Sequence, residues 1–186
     1  MKRVLLKLMS IKCNDTEDVA GADEFYISGV VSDGETVCPV LTKPISINDG
    51  QRKFFGEGGK TIFDRTIPDD RILKVVLFAW DEDSQKDWSK YGEMVDKIGD
   101  IVSKGLLVLS NPYGASASAI LPLAIDAVGS IMNADNDDRL GKLVADFPVW
   151  GISSGCTSHI WPIHGGDNWF SNWNYVVSFE IELQPS

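Results

Sequence analysis

The spacing of apolar residues changes twice along this chain, and that change limits the fold more than any single motif. At the C-terminal end Val177, Phe179, Ile181 and Leu183 alternate with Ser178, Glu180 and Glu182, the two-residue period of a strand with one dry face. Near the start, Val4 to Ile11 is a short apolar stretch running into the polar cluster Asn14 to Asp18, as a strand entering a loop does. Leu73 to Trp80 is almost uninterrupted apolar sequence, which predicts a central strand covered on both faces. A further strand is expected from Phe25. From there to Phe63, brief apolar pieces are separated by Ser32-Asp33-Gly34, Asn48-Asp49-Gly50 and Gly56-Glu57-Gly58-Gly59. Asp and Gly tolerate positive φ, so these turns predict hairpins.

The middle of the chain has a different period. Tyr91, Met94, Val95, Ile98, Ile101, Val102, Leu106 and Leu109 recur three and four residues apart, the stripe of an amphipathic helix between Asp87 and Leu109. After the turn Asn111-Pro112-Tyr113-Gly114, the stretch Ser116 to Met132 carries a second stripe, with Pro122 tolerable near its start. The expected fold class is therefore mainly β, with an α-helical hairpin set into it. The Gly-, Ser- and Trp-rich stretch from Ser153 to Trp173 reads as a long loop. No run reaches the 18 or so uninterrupted apolar residues of a spanning helix; the nearest, Gly105 to Met132, is broken by Asn111-Pro112 and again by Pro122. The brief N-terminal stretch, interrupted by Lys7, does not suit a cleavable signal peptide, so a soluble protein of open compartment is expected.

Composition excludes one class of function. With 17 basic and 27 acidic residues the net charge is −10, the wrong sign for a protein that tracks nucleic-acid phosphates. Three scattered cysteines, Cys13, Cys38 and Cys156, make neither a disulfide framework nor a CxxC zinc pattern. The acids are unevenly placed, in three groups: DVAGADEFY from Asp18 to Tyr26, WDED from Trp80 to Asp83, and ADNDDRLG from Ala134 to Gly141. In the second, strand alternation sends Asp81 and Asp83 to the same side. Calcium takes six to eight hard oxygen ligands, and carboxylates gathered from loops supply them without forced geometry.

These groups resemble the calcium loops of C2 domains, which have the forms D-x-x-G-x-x-D-P-Y and W-D-x-D followed by D-x-x-G. Asp18, Gly21, Asp23 and Tyr26 match the first form, although Glu24 and Phe25 stand where Pro and Tyr are usual, leaving Tyr26 one residue late. Asp81 and Asp83 match the start of the second, and Asp138-Arg139-Leu140-Gly141 its end. The resemblance implies a C2-like antiparallel β-sandwich, residues 1–186 as a single domain, with residues 84–134 inserted in a calcium loop as the helical hairpin. Removing the insertion leaves about 135 of the 186 residues, enough for one such sandwich. It further implies Ca2+ as the cofactor. The ligands would be Asp18, Asp23, Asp81, Asp83 and Asp138, with Asp135 and Asp137 as additional candidates.

Catalytic patterns are weak by comparison. His159, His164 and Asp167 share HIWPIHGGD without zinc spacing or a common helix face, and Gly151-Ile152-Ser153-Ser154-Gly155 displaces its serine from the centre of G-x-S-x-G. The expectation is a binding module and not an enzyme. Trp161, Trp169 and Trp173 crowd one stretch, where they either contact a membrane or partner, stack on sugars, or seal the sandwich. The leading functional expectation is calcium-dependent docking on an anionic lipid membrane or a protein partner, as a monomer or an oligomer. Two alternatives stand beside it. One is a membrane-active, pore-forming or toxin-like protein in which the hairpin, Asp87 to Met132, inserts or oligomerises, suggested by the apolar run Gly114 to Met132, whose only charge is Asp126; the other is calcium-assisted carbohydrate binding.

Overall fold

The two-residue and four-residue periods do become separate layers. The computed structural model describes residues 1–16, 22–82, 88–107, 109, 115–132, 137–167 and 171–185. Its strands are β1 (Lys2–Asp15), β2 (Asp23–Ser32), β3 (Val37–Leu41), β4 (Ile45–Ile47), β5 (Arg52–Phe54), β6 (Lys60–Ile67), β7 (Ile72–Asp81), β8 (Asp138–Pro148), β9 (Gly155–Asp167) and β10 (Ser171–Pro185). Helices α1 (Tyr91–Leu106) and α2 (Ala117–Met132) lie between β7 and β8. One sheet runs β5-β1-β10-β9 with β6 also on β1; the other runs β3-β2-β7-β8 with β4 also on β2. Every pairing is antiparallel.

The two sheets face one another across a core that includes Leu6, Leu8, Phe25, Ile27, Phe63, Leu77, Tyr175 and Val177. Alternation along β7 sends Leu73, Val75, Leu77 and Ala79 into this core, while Val76, Phe78 and Trp80 point the other way. That outward face is covered by the helical hairpin. Ile98, Val102 and Leu106 of α1, with Ile120, Ala124 and Val128 of α2, bury Tyr26, Val30, Val76, Phe78 and Trp80. The uninterrupted apolar run Leu73 to Trp80 is thus explained by two cores, one on each side. The start of α2 is fixed to β8, where the Ala117 backbone N–H donates to Asp146 Oδ1 at 2.7 Å, satisfying one of the donors a helix leaves open at its first turn.

Two sequence expectations need correction. The stretch 153–173 is not a long loop: β9 occupies most of it and pairs with β10 from Gly155↔Leu183 to Ser171↔Asp167. Its inward residues include Trp161 and Ile163, but Ile160 is apolar and outward, at 70% exposure. That residue and Pro162 hide the period-two signal; Pro is admissible because β9 is an edge strand. Of the turns read as hairpins, Asp33-Gly34 does join paired strands, β2 and β3. Asn48-Asp49-Gly50 instead carries the chain from β4 in one sheet to β5 in the other, because Ile47 must pair with Asp23 while Arg52 pairs with Lys12. Gly56 to Gly59 links β5 and β6, which follow one another along the same side of β1.

Candidate metal-binding pole

One end of the sandwich collects the acids. There β2 begins, β7 ends and β8 begins, and the ladder pairs Phe25 with Asp81 and Asp81 with Asp138. Paired residues share a face, and Asp23 lies two residues before Phe25, so Asp23, Asp81 and Asp138 stand on the core-facing side of three successive strands. Asp23 and Asp81 are buried, whereas Asp138 is exposed. Asp81 Oδ1 accepts the Glu24 backbone N–H at 2.8 Å, and Asp23 Oδ2 accepts the hydroxyl of buried Tyr175 from the facing sheet. On the hairpin side of the same strands, the Tyr26 hydroxyl donates to Asp137 Oδ2, and the Tyr26 ring stacks with Trp80 at 6.3 Å.

Two residues at this pole were not singled out from sequence. Asp49, in the crossing turn, accepts the Thr16 backbone N–H at 2.8 Å and its hydroxyl at 3.0 Å, tying the end of β1 to the β4–β5 connection. Cys13 is fully buried nearby, and its thiol is pushed up to about 12, first by burial and then by the negative charges of Asp49 and Asp23. Tyr175 is raised as well, by burial and by its hydrogen bond to Asp23, with Asp81 adding to the effect. The pole therefore has a negative local field that holds neighbouring acidic protons in place.

Asp18, Asp83 and Asp135 lie outside the described residues. Among the described residues no three His, Cys, Asp or Glu side chains form a group able to hold a metal ion. What the described residues do supply is the donor chemistry of a calcium site. They are carboxylate oxygens, and the one thiol beside them is held protonated, which removes it as a soft ligand.

No family model and no curated protein matches the chain. Solved structures similar to it do exist. One is described as the structure of a C2 domain, at 12% identity and TM-score 0.41, covering all of both chains. Another is human GIVD cytosolic phospholipase A2 in complex with an inhibitor and terbium chloride, at 10% identity and TM-score 0.45, of which this chain spans 18%. A third is a C2 domain of plant extended synaptotagmin 1, at 8% identity and TM-score 0.41, with 95% of that chain covered. What the strands themselves show is an antiparallel β-sandwich of two sheets. At identities of 8 to 12% and TM-scores of 0.41 to 0.45, these likenesses assign neither a family nor a site.

The aromatic and histidine expectations fare differently. Trp161 is not placed to contact a membrane or partner: at 4% exposure it is part of the inter-sheet core, because alternation along β9 turns it inward. Trp173 is partly buried against the same core, and its Nε1–H donates to the Leu140 carbonyl at 2.9 Å, closing the seam between β10 and β8. Trp169 lies outside the described residues. His159 and His164, five residues apart on a strand, point to opposite faces. His159 stacks on Phe179 with ring centroids 5.2 Å apart.

Proposed function

We propose that this chain is a calcium-dependent module that docks its acidic pole on anionic lipid membranes. The observation that carries the reading is the register Phe25↔Asp81↔Asp138, which lines up Asp81 and Asp138 with Asp23 at one end of adjacent strands. Asp23, Asp81 and Asp138 would hold the ion together with Asp18, Asp83 and Asp135. Carboxylates drawn to within about 4 Å of one another repel by roughly 1 to 4 kcal/mol per pair, depending on the dielectric. A bound divalent cation offsets that repulsion and supplies positive charge to which lipid phosphates are drawn. Residues 1–186 act as one unit in this reading, with 84–134 as an insertion.

The test is thermal unfolding with and without calcium. At about 100 times Kd, calcium stabilises by about 2.7 kcal/mol, which for a chain of this size raises Tm by roughly 5 to 10 °C. Asp81→Asn keeps an Oδ1 acceptor for the Glu24 N–H but loses the charge, so the variant should fold and show no calcium shift. A calcium shift of undiminished size in Asp81→Asn, or none in the wild type, refutes the reading. Sedimentation with phosphatidylserine vesicles, with calcium and then with chelator, adds the membrane arm: reversible binding without dye release is expected, and leakage would favour the toxin-like alternative. The burial of the hairpin's apolar stripe against the sheet weighs against that alternative, as the burial of Trp161 weighs against a sugar-stacking platform.

The insertion has its own expected result. A chain lacking residues 84–134 would expose Tyr26, Val30, Val76, Phe78 and Trp80 on one sheet face. Such a patch drives association, so the deletion should aggregate. Replacing those five residues with polar ones in the same deletion should restore a monomer, as read by size-exclusion chromatography.

A further inference from the structure

On the side of the sandwich is a cavity of about 320 Å³ whose lining includes none of the pole's carboxylates. It opens where the edge strand of one sheet breaks between β3 and β4. The break is stabilised locally: the Thr42 N–H donates to the Ile27 carbonyl at 2.8 Å, and the Thr42 hydroxyl accepts the Ile27 N–H at 2.8 Å. The walls are Lys43 and Pro44 from the break, Phe54 and Phe55 from β5 and its turn, Lys60 from β6, and Tyr91 from α1. The site therefore draws on both sheets and on the helical hairpin.

Its chemistry is unlike the rest of this acidic chain. Lys60 Nζ donates to the Tyr91 hydroxyl at 3.0 Å and lies 5.5 Å from the centre of that ring, while the hydroxyl in turn donates to the Leu41 carbonyl. This holds the Lys60 ammonium at the cavity wall by the tyrosine hydroxyl, and among the described residues neither Lys60 nor Lys43 forms an ion pair with a carboxylate. Phe54 lines the same cavity, an aromatic ring left 66% exposed. Two ammonium groups beside an open aromatic face, in a volume within the range of small-molecule sites, match a compact dianion with an apolar body. A phosphate monoester carries about two negative charges near neutral pH, whereas a carboxylate carries one.

We propose that this cavity binds a small phosphate monoester with an aromatic or short apolar body, its phosphate between Lys43 and Lys60 and its body against Phe54. The site is independent of calcium, so it is tested in the presence of EDTA, where failure says nothing about the acidic pole. Calorimetric titration with phenyl phosphate should give binding in the range of about 1 mM or tighter. Inorganic phosphate should bind at least about tenfold more weakly, since it lacks the apolar body. The exposed position of Lys43 and the retained alkyl stem of methionine make Lys43→Met/Lys60→Met a variant that should fold; it should lose phenyl phosphate binding by at least about tenfold. Phe54→Ala should reduce phenyl phosphate binding to the level of inorganic phosphate and leave the latter unchanged. A parallel sedimentation with phosphatidic acid vesicles identifies the source of the ester: a drop in the double variant points to a lipid headgroup, and no drop points to a soluble ligand, the site standing in both cases. No heat with phenyl phosphate, or equal heat from wild type and double variant, overturns the proposal.

Discussion

Gly29→Ala is expected to destabilise the fold by about 4 to 6 kcal/mol, the sum of overpacking and backbone strain of roughly 1 to 3 kcal/mol each, with the close backbone contact at the upper end. Gly29 lies in β2 opposite Leu77, with φ +146. A Cβ built there would sit 2.1 Å from the Val76 carbonyl oxygen and 2.9 Å from Leu77 Cα. Both are backbone atoms of the central strand β7, so no side-chain rotation relieves the overlap. Relief requires β2 and β7 to part, which would loosen both cores at once, since each strand contributes to the inter-sheet core and to the hairpin core. For a chain of this size Tm should fall by roughly 10 °C or more. Gly50→Ala is the control. Gly50 also has positive φ, +73, but no atom lies within 4 Å of a Cβ there, so only the conformational cost of about 1 kcal/mol applies. Equal effects from the two substitutions would show that the close approach of β2 to β7 contributes nothing.

Alkaline instability centred on Cys13 is the second large effect expected. The folded environment raises this thiol from 9.0 to about 12, through burial and the charges of Asp49 and Asp23. A group whose pKa is raised on folding keeps its full stabilising contribution below its unfolded value and loses it as pH climbs toward the folded value. The window is therefore pH 9 to 12. A shift of this size corresponds to about 4 kcal/mol over the whole window, of which about 3 kcal/mol is lost by pH 11. Tyr175, raised through burial and its hydrogen bond to Asp23, adds in the same direction. Urea unfolding in EDTA at pH 8 and pH 11 measures the loss. Cys13→Ala removes the titrating thiol at a pH-independent packing cost, so its two midpoints should lie closer together than those of the wild type. An identical drop in both proteins would assign the alkaline sensitivity elsewhere. In the folded state at pH 8, exposed Cys156 should react with a thiol reagent while buried Cys13 does not.

Much of this architecture is legible in the chain because period and burial coincide. Leu73 to Trp80 lacks polar residues apart from Lys74, and β7 indeed has a core on each side. The helical stripes at Ile98, Val102 and Leu106, and at Ile120, Ala124 and Val128, are the residues that meet the sheet. Legibility fails where outward residues mimic inward ones. Ile160 and Pro162 occupy the solvent side of β9, and two glycines follow at its end, so a 13-residue strand reads as loop. At the acidic pole, Asp23, Asp81 and Asp138 could be found because motif spacing and strand ends mark them. The partners that fix the pole could not. Tyr175 meets Asp23 across 152 residues, and Asp49 meets Thr16 across 33. Contacts of that kind are set by which strands become neighbours, and no local spacing encodes it.

The helical layer has a consequence for how this molecule can be approached. A two-layer sandwich turns two pleated surfaces to the solvent; here, among the described residues, one of them is covered by α1 and α2, while the sheet containing β1 and β10 keeps an open side. Any visitor that would lie along the strands of β2 and β7 meets helices instead. Encounters are therefore steered toward the two tips, the rim between the layers, and that uncovered surface.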